Sequence, residues 1–217
     1  MPDYIDISVH ALPEGADSPN RLDLVARSLG FAGIGLTAHS PYWSQLAEQD
    51  AISGIEIVAH SVRDLRKKIS HFRDSATILS VHGGDERINR AACSDERVDL
   101  LMHPEKGERS GLNQVTAKIA EKNGVALGFS LSYFWKKEGF ERSRILALQH
   151  QNVALCQKFA VPVIITTDAF SHYDLRAPSQ LLALAQLLNL EKTETTAALS
   201  DTPRSIIKRR EQSWEAY

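Results

Sequence analysis

Residues 124–131 read GVALGFSL, and this stretch decides the fold that we predict. It is almost entirely apolar and too short for an ordinary helix, so it predicts a strand that is buried on both faces. Helical spacing precedes it in LNQVTAKIAEKN and follows it in SRILALQHQNVALCQKF. A buried strand between two helices is typical of parallel α/β folds, in which functional residues gather at the strand ends.

The same alternation of short apolar runs and helical patterns continues along the chain. Strands are predicted at 4–9, 33–39, 55–60, 77–83, 98–103, 125–131 and 162–169, with an eighth near 196–201. Alternating strands and helices form right-handed β-α-β units around a parallel sheet. The pattern therefore predicts an α/β protein with a TIM-like barrel, irregular or seven-stranded in form. A dinucleotide-binding fold gains no support, since no G-x-G-x-x-G follows the first strand.

The length and composition fit one domain of this class. The chain has 217 residues, of which 43% are hydrophobic and 24% are charged, as in ordinary globular proteins. No low-complexity linker divides it. We therefore expect a single barrel domain over residues 1–217, with about ten C-terminal residues frayed.

The cysteines and the N-terminus bear on the cellular compartment. Cys93 and Cys156 stand far apart and in no C-x-x-C pair, which favours two reduced thiols. No apolar run reaches the length of a membrane span, and MPDYIDISVHALPEG lacks the pattern of a signal peptide. The prediction is a cytoplasmic protein with no membrane partner.

The charge pattern limits how the chain can bind nucleic acid. The net charge is −2, whereas a free-standing nucleic-acid binder is usually basic. If RNA is the partner, the positive charge must be local or other subunits must supply more of it, and most local basic runs are solvated helix faces. The clusters are Arg63, Arg66, Lys67 and Lys68; Lys106 and Arg109; Lys136, Lys137, Arg142 and Arg144; and Arg204, Lys208, Arg209 and Arg210.

Histidines follow the predicted strands with unusual regularity. His10, His39, His60, His82 and His103 lie at or just after five of them, Asp168 ends another, and His172 comes shortly after. In a barrel these positions converge on the C-terminal rim. Imidazoles and carboxylates there are the ligands of a catalytic metal, and Asp6, Glu56 and Asp85 offer further oxygens.

This histidine pattern resembles the polymerase-and-histidinol-phosphatase (PHP) superfamily of barrel metalloenzymes. Ser8, in DISVHA, stands where that family has its first histidine, and Ala38 replaces the aspartate of its T-D-H motif. Losing two ligands should weaken metal binding badly, so we expect no bound metal. His10, His39, Glu56, His82, His103 and Asp168 are then relic positions. A stand-alone PHP-type metal-dependent phosphoesterase is the alternative.

A sharper resemblance covers roughly residues 98–210. VALGFSL, the FER of the next loop, DLRAP and the late SDTPRSIIKRR occur in this order. Together they resemble the ribonuclease P protein component 3 family, a degenerate relative of the PHP superfamily. The resemblance implies a subunit of an endoribonuclease that removes the 5′ leader from precursor tRNA. It also implies that the RNA subunit carries catalysis and Mg²⁺, and that the protein holds no cofactor.

The resemblance also implies partners and binding residues. The partners are the RNase P RNA, precursor tRNA and a small α/β protein subunit, in a heterodimer or heterotetramer. An arginine fork pairs well with phosphate, which gives affinity rather than sequence readout. The matching RNA-binding positions are Arg87, Arg90, Arg109, Lys122 and Arg176, and Lys192 is a weaker match.

Several residues also admit a second interpretation. Each basic residue has a salt bridge as its alternative, and Asp85 and Glu86 stand beside Arg87. Residues 133–135, YFW, either pack against the barrel or meet a partner. A third class, a barrel enzyme of other chemistry, would need an acid and base such as Glu105 and Lys106.

Overall fold

Seven strands form the centre of the protein. The computed structural model describes residues 2–40, 42, 52–105 and 108–215. The strands are β1 (Ile5–Val9), β2 (Gly33–His39), β3 (Ile52–Ile57), β4 (Ile78–His82), β5 (Leu100–Met102), β6 (Ala126–Ser130) and β7 (Val163–Thr166). All neighbouring pairs are parallel, and the order along the sheet is the order along the chain.

Helices surround these strands and follow the capping signals of the sequence. They are α1 (Pro19–Leu29), α2 (Val62–Phe72), α3 (Glu86–Cys93), α4 (Gln114–Asn123), α5 (Tyr133–Lys136), α6 (Gly139–Phe159), α7 (Pro178–Ala185), α8 (Lys192–Leu199) and α9 (Asp201–Glu215). Ser18 caps α1 by accepting from the Arg21 amide, and Gly30 ends it with a positive φ of 102°. Only a residue without a Cβ takes that conformation freely.

The sheet closes between its first and last strands. Val9 bridges Ala169 in parallel, and the His10 amide donates to the Ala169 carbonyl at 2.7 Å. The register of β1 against β2 shifts between Asp6 and Val9. The predicted TIM-like, seven-stranded and irregular barrel is therefore confirmed.

Two details of the strand prediction were wrong. The proposed eighth strand at 196–201 is the end of α8 and the start of α9. The Glu191 amide donates to the Glu194 side chain at 2.8 Å, which is half of a capping box and starts a helix there. The third strand runs over Ile52–Ile57, which leaves His60 in the following loop.

The lower interior of the barrel is apolar and is sealed by the C-terminal helix. Ile78, Leu100 and Ile164 belong to one buried apolar cluster with Ile206 and Ile207 of α9. A larger apolar core fills the space between the barrel and the outer helices. The helical backbone continues to Glu215, so most of the expected frayed segment is helical, and fraying itself remains a prediction.

The stretch GVALGFSL is strand β6 and serves as scaffold. All five residues of β6 are buried. A Cβ on Gly128 would lie 2.1 Å from the Met102 sulfur on the neighbouring strand, so only glycine fits without displacing it. Ser130 lies above Gly128 on the same face and shares a 2.7 Å hydrogen bond with Ser132, which starts the turn into α5.

Two further expectations concern the thiols and membranes. Cys93 and Cys156 are buried free thiols, and burial raises the pKa of each to about 12. Among the described residues, no helix combines the length and apolar character that a membrane crossing needs.

Candidate functional site

Four histidines meet at the C-terminal rim of the barrel, as their strand-end positions predict. The ring centroids of His10 and His39 lie 5.3 Å apart, those of His39 and His82 5.6 Å, and those of His82 and His103 5.0 Å. Phe170 covers one end of this row by stacking on His10 at 4.1 Å. The strands thus gather side chains from separate parts of the chain into one row.

Three carboxylates link these rings. Asp168 lies 3.2 Å from His10 Nε2 and 3.4 Å from His103 Nε2. Glu56 lies 2.6 Å from His82 Nδ1. Glu14 contacts His10 and the Nδ1 atom of His39, and it also accepts from the His39 amide at 2.9 Å. Sequence reasoning missed Glu14 because it lies in the loop after β1, away from any strand end.

The electrostatics of the row are dominated by these pairs. Burial lowers the pKa of His10, but hydrogen bonds to Asp168 and Glu14 outweigh burial and raise the pKa to about 9. Burial also lowers the pKa of His103, while the charge of Asp168 raises it to about 9. Burial raises the pKa of Asp168, but both imidazoles hold it well below its ordinary value. The row therefore holds charged pairs near neutral pH.

The backbone at the rim is strained where it presents two of these groups. His103 and Asp168 have φ values of 47° and 50°, in the left-handed region. Such a conformation costs about 1–3 kcal/mol for a non-glycine residue. An open cavity of about 580 Å³ lies over the row, and Tyr133 lines it while hydrogen-bonding His103 Nδ1 at 3.0 Å.

Several sequence candidates lie outside the row or outside the described part of the chain. His60 lines the cavity but is exposed, and His172 pairs with Asp17 at 2.8 Å. Asp6 is buried among Thr166 and Thr167 and does not reach the rim. Asp85 caps α3. Lys106 lies outside the described residues, so the pair with Glu105 cannot be placed.

The donors of the row fit a transition-metal ion. His39, Glu56 and His82 bring one ligand atom each to within 4.8 Å of one another, and so do His10, Glu14 and His39. The second oxygen of Glu56 is buried and has no hydrogen-bond partner among the described residues. Mixed imidazole and carboxylate donors are the ligands of zinc, iron and manganese in proteins.

The two replaced PHP positions differ in their structural effect. Ser8 is buried on the face that carries His10, and its hydroxyl has no hydrogen-bond partner among the described residues. Ala38 packs in the outer core, because neighbouring residues of a strand point to opposite faces. An aspartate at position 38 would therefore face away from His39.

Three of the five predicted RNA-binding residues lie together. Arg87 and Arg109 line one groove of about 670 Å³, and Arg90 follows Arg87 by three residues on the exposed face of α3. The Arg109 side chain is 79% exposed and lies 3.7 Å from Glu86. Asp85 accepts from backbone amides at the start of α3, which is a capping role. These three arginines form what we call the arginine face.

Asn89 fixes the loops on which the arginine face depends. It is fully buried, and its amide nitrogen donates to the carbonyls of Pro104 and Gly111 at 2.9 and 3.0 Å. Its oxygen accepts from the Gly84 amide at 3.1 Å. A Cβ on Gly111 would lie 1.7 Å from the Pro104 carbonyl, so the loop packs against itself. The sequence shows Asn89 between two arginines but not this role.

Replacing Asn89 by alanine should cost about 1–3 kcal/mol, because the buried Pro104 carbonyl loses its partner and two half-buried hydrogen bonds are also lost. Urea unfolding measures the loss. Asn123→Ala is the matched control, since the Asn123 side chain makes one hydrogen bond, to the Cys93 carbonyl at 2.9 Å. Equal losses in the two variants would contradict the special role of Asn89.

Lys122 and Arg176 lie away from the arginine face. Lys122 is exposed in the last turn of α4, towards the opposite end of the barrel. The Arg176 guanidinium stacks on Trp135 at 4.5 Å and donates to the Tyr173 and Leu175 carbonyls. Lys192 is exposed at the start of α8. Their assignment to RNA stays a prediction.

The side chains of residues 133–135 are buried in part against the molecule. Phe134 and Trp135 pack on the outer core, and Tyr133 bonds to the rim. Packing therefore accounts for part of their surface, and a partner contact stays a prediction.

The fold and the site define the class of protein. This is a TIM-like α/β barrel whose C-terminal rim carries histidines and carboxylates, with three exposed arginines beside it. A sequence model of the family described as RNase P subunit p30 matches residues 3–215. The chain belongs to this family, and it is a protein subunit of ribonuclease P, as the second resemblance implied.

Curated relatives agree with this assignment over most of their length. The "Ribonuclease P protein component 3" of Methanosarcina mazei is 40% identical, over 96% of this chain and 90% of the relative. That of Methanothermobacter thermautotrophicus is 34% identical, over 88% of this chain and 84% of the relative.

Solved structures also resemble this chain. A chain in the cryo-EM structure of archaeal ribonuclease P with mature tRNA matches with a TM-score of 0.80 and 29% identity, over 96% of this chain and 91% of that one. A Xaa-Pro dipeptidase matches with a TM-score of 0.62 and 10% identity, over 97% and 76%, which shows a shared fold alone. The stand-alone phosphoesterase is not favoured by these matches.

Proposed function

We propose that this subunit binds the RNase P RNA through the arginine face, and that Lys122 and Arg176 add contacts elsewhere. The observation that carries the proposal is the grouping of Arg87, Arg90 and Arg109 around one buried clamp, Asn89. The clamp holds the backbone of helix α3 and of the loop before α4 together, so the Cα positions of these arginines keep a fixed spacing. Preorganised charges lose less entropy when they meet a rigid backbone of phosphates.

The chemistry of the arginine face suits a structured RNA. Arginine pairs bidentately with phosphate oxygens, and RNA helices are recognised through backbone groups and shape. The ion pair of Arg109 with Glu86 does not oppose this use. Both side chains are exposed, and such a pair contributes about 0–1 kcal/mol, so Arg109 can exchange it for phosphate.

The remaining parts of the proposal concern the particle. In our proposal the RNA subunit carries catalysis and Mg²⁺, and this polypeptide supplies no catalytic group. A small α/β protein subunit pairs with it in a heterodimer or heterotetramer, and the particle processes precursor tRNA in the cytoplasm. Light scattering of the mixed subunits distinguishes the two stoichiometries.

Reconstitution tests this function directly. Precursor tRNA is mixed with the RNase P RNA and the small subunit at limiting Mg²⁺, with and without this protein. We expect removal of the 5′ leader to require the RNA and to accelerate when this chain is added. If the protein changes nothing in that mixture but cleaves phosphate esters alone, the phosphoesterase function is correct instead.

A single substitution tests one contact of the arginine face. Arg109→Ala should lower affinity for the RNase P RNA and reduce the slope of log K against log salt by about one, since one phosphate contact is lost. Filter binding at several salt concentrations measures the slope. Arg66→Ala, an exposed arginine on α2, is the control and should leave the slope unchanged. An unchanged slope for Arg109→Ala would remove this residue from the interface.

A further inference from the structure

We propose that the loop after β7 carries a stacking platform for an unpaired RNA base, formed by the rings of Tyr173 and His172. The inference rests on the proposed function, since it takes RNA as the ligand, and it adds the kind of RNA, a single strand. Arginine contacts hold phosphates and carry no information about the bases. An exposed aromatic ring binds a base by stacking, which requires that the base is unpaired.

Tyr173 presents its ring to solvent from a loop with little freedom. The residue is 77% exposed. Its amide donates to the Ser171 hydroxyl at 3.0 Å, and its carbonyl accepts from the Arg176 guanidinium at 2.8 Å. Both backbone polar groups of Tyr173 therefore have partners within the loop. A tyrosine side chain has two torsion angles, so a fixed backbone leaves it little entropy to lose when a base stacks on it.

His172 supports the Tyr173 ring from one side. The two ring centroids lie 3.9 Å apart. His172 is itself held in place, because its amide and its Nδ1 atom each lie 2.8 Å from the same carboxylate oxygen of Asp17. Its Nε2 atom lies 3.1 Å from a guanidinium nitrogen of Arg21. The Tyr173 ring thus rests on a fixed neighbour, and its high exposure leaves the rest of the ring open to a base.

A stacked cation lies beside the platform. The Arg176 guanidinium donates to the Tyr173 and Leu175 carbonyls and lies 4.5 Å from the centre of the Trp135 ring. The aromatic ring and the loop carbonyls hold this flat cation next to Tyr173. Sites for single-stranded nucleic acid combine aromatic rings with cations in this way, because the rings take the bases and the cations take the backbone.

The charges around the platform favour a polyanion. Arg21 pairs with Asp17 at 3.3 Å, and Lys136 pairs with Asp174 at 3.0 Å. The cation is the more exposed partner in both pairs, with side chains exposed by 56% against 10% and by 32% against 20%. An approaching chain therefore meets Arg21, Lys136 and Arg176 before it meets the carboxylates. This arrangement attracts phosphates and disfavours a basic protein.

The platform and the arginine face adjoin the same cavity. Gly84 and Asp85 line both the rim cavity of about 580 Å³ and the groove that contains Arg87 and Arg109. Phe170, two residues before His172, also lines the rim cavity. Both surfaces therefore open at the C-terminal end of the barrel. A single strand that crosses the rim can place phosphates on the arginine face and a base on the platform, whereas the bases of an RNA helix stack on one another.

Binding of short RNAs to the full chain tests the platform. The probes are a single-stranded oligoadenylate and an RNA duplex of equal length, measured by fluorescence anisotropy across a range of salt. Tyr173→Leu should weaken binding of the single strand by about 5- to 150-fold, the worth of one stacked base, and leave duplex binding unchanged. The slope of log K against log salt should not change, because no charge is removed. Tyr173→Phe keeps the ring and should bind as the wild type does.

Two controls separate stacking on this ring from general adhesion to exposed aromatic residues. Phe140→Leu removes a ring that is 83% exposed at the start of α6, outside the loop after β7, and it should leave single-strand binding unchanged. An abasic strand of the same length should bind the wild type and Tyr173→Leu equally, because the ring then has no base to stack on.

Longer RNAs distinguish the two sources of an unpaired strand. If Tyr173→Leu weakens binding of the RNase P RNA, the strand belongs to that RNA. If the loss is confined to precursor tRNA bound to the reconstituted particle and is absent for tRNA without its 5′ leader, the strand is the leader.

Two results would overturn the platform. One is a wild type that binds the single strand no better than Tyr173→Leu does, even if that variant fails to bind the small protein subunit. The other is an equal loss in Phe140→Leu. The salt slope of Arg109→Ala is measured independently, so the proposed function stands or fails on a separate result.

Discussion

Replacing Asp99 by alanine should destabilise the protein by about 3–5 kcal/mol, the cost of breaking a buried ion pair. Asp99 is 3% exposed and lies just before β5. Its carboxylate pairs with Arg73 at 2.6 Å and with Arg209 at 2.7 Å, and it accepts from the Leu79 amide at 2.9 Å. Without it, the buried Arg73 guanidinium loses its countercharge, and α9 loses one of its ties to the barrel.

Urea unfolding followed by circular dichroism measures this loss. The matched control is Asp3→Ala, which removes an ion pair to the same helix, with Arg204 at 2.7 Å. Both partners of that pair are largely exposed, so its loss should cost at most about 1 kcal/mol. If the two variants lose the same stability, the buried network contributes no more to holding α9 than the exposed pair does.

The barrel could be predicted because its strands are buried on both faces. Such strands read as short apolar runs, and seven of the eight predicted runs are strands of the sheet. The error at 196–201 has the same origin. TAALS is short and apolar, but the preceding Glu191 and Glu194 start a helix that carries it. A short buried helix and a buried strand cannot be separated by apolar content alone.

The residues of the rim could be predicted only where a histidine or an acidic residue lies at the end of a strand. His10, His39, His82 and His103 follow that rule, so their convergence was expected. Glu14 breaks it, because a loop folds back to place its carboxylate on His39. His60 breaks it in the opposite way, since β3 begins three residues earlier than predicted and ends at Ile57, which leaves His60 in the loop beyond the strand.

Linear motifs could not predict which basic residues lie together in the folded protein. Helix α3 brings Arg87 and Arg90 to one face, because residues three apart in a helix are neighbours. Arg109 joins them through a loop whose shape depends on Asn89. The Asn89 side chain bonds to Pro104 and Gly111, which lie 15 and 22 residues further along the chain. Lys122 and Arg176 match the family pattern equally well in sequence, yet they lie elsewhere on the barrel.

Removing the whole arginine face should have a large effect on RNA affinity. The variant Arg87→Ala/Arg90→Ala/Arg109→Ala should reduce the slope of log K against log salt by about three, one for each phosphate contact. If each contact carries the usual salt dependence, affinity for the RNase P RNA should fall roughly 10²- to 10³-fold at 0.1 M salt. Stability should change little, because exposed charges contribute little to folding.

The control must distinguish the loss of the arginine face from an equal change in net charge elsewhere on the protein. Arg63, Arg66 and Lys67 are exposed on α2, and replacing all three by alanine changes the net charge equally. Filter binding of the RNase P RNA compares the two triple variants across a range of salt. Because Asn89 fixes the backbone that carries the arginine face and α2 is not part of that face, the control should keep most of the affinity. An equal loss in both would mean that the RNA responds to overall charge, and the arginine face would then have no special place in ribonuclease P.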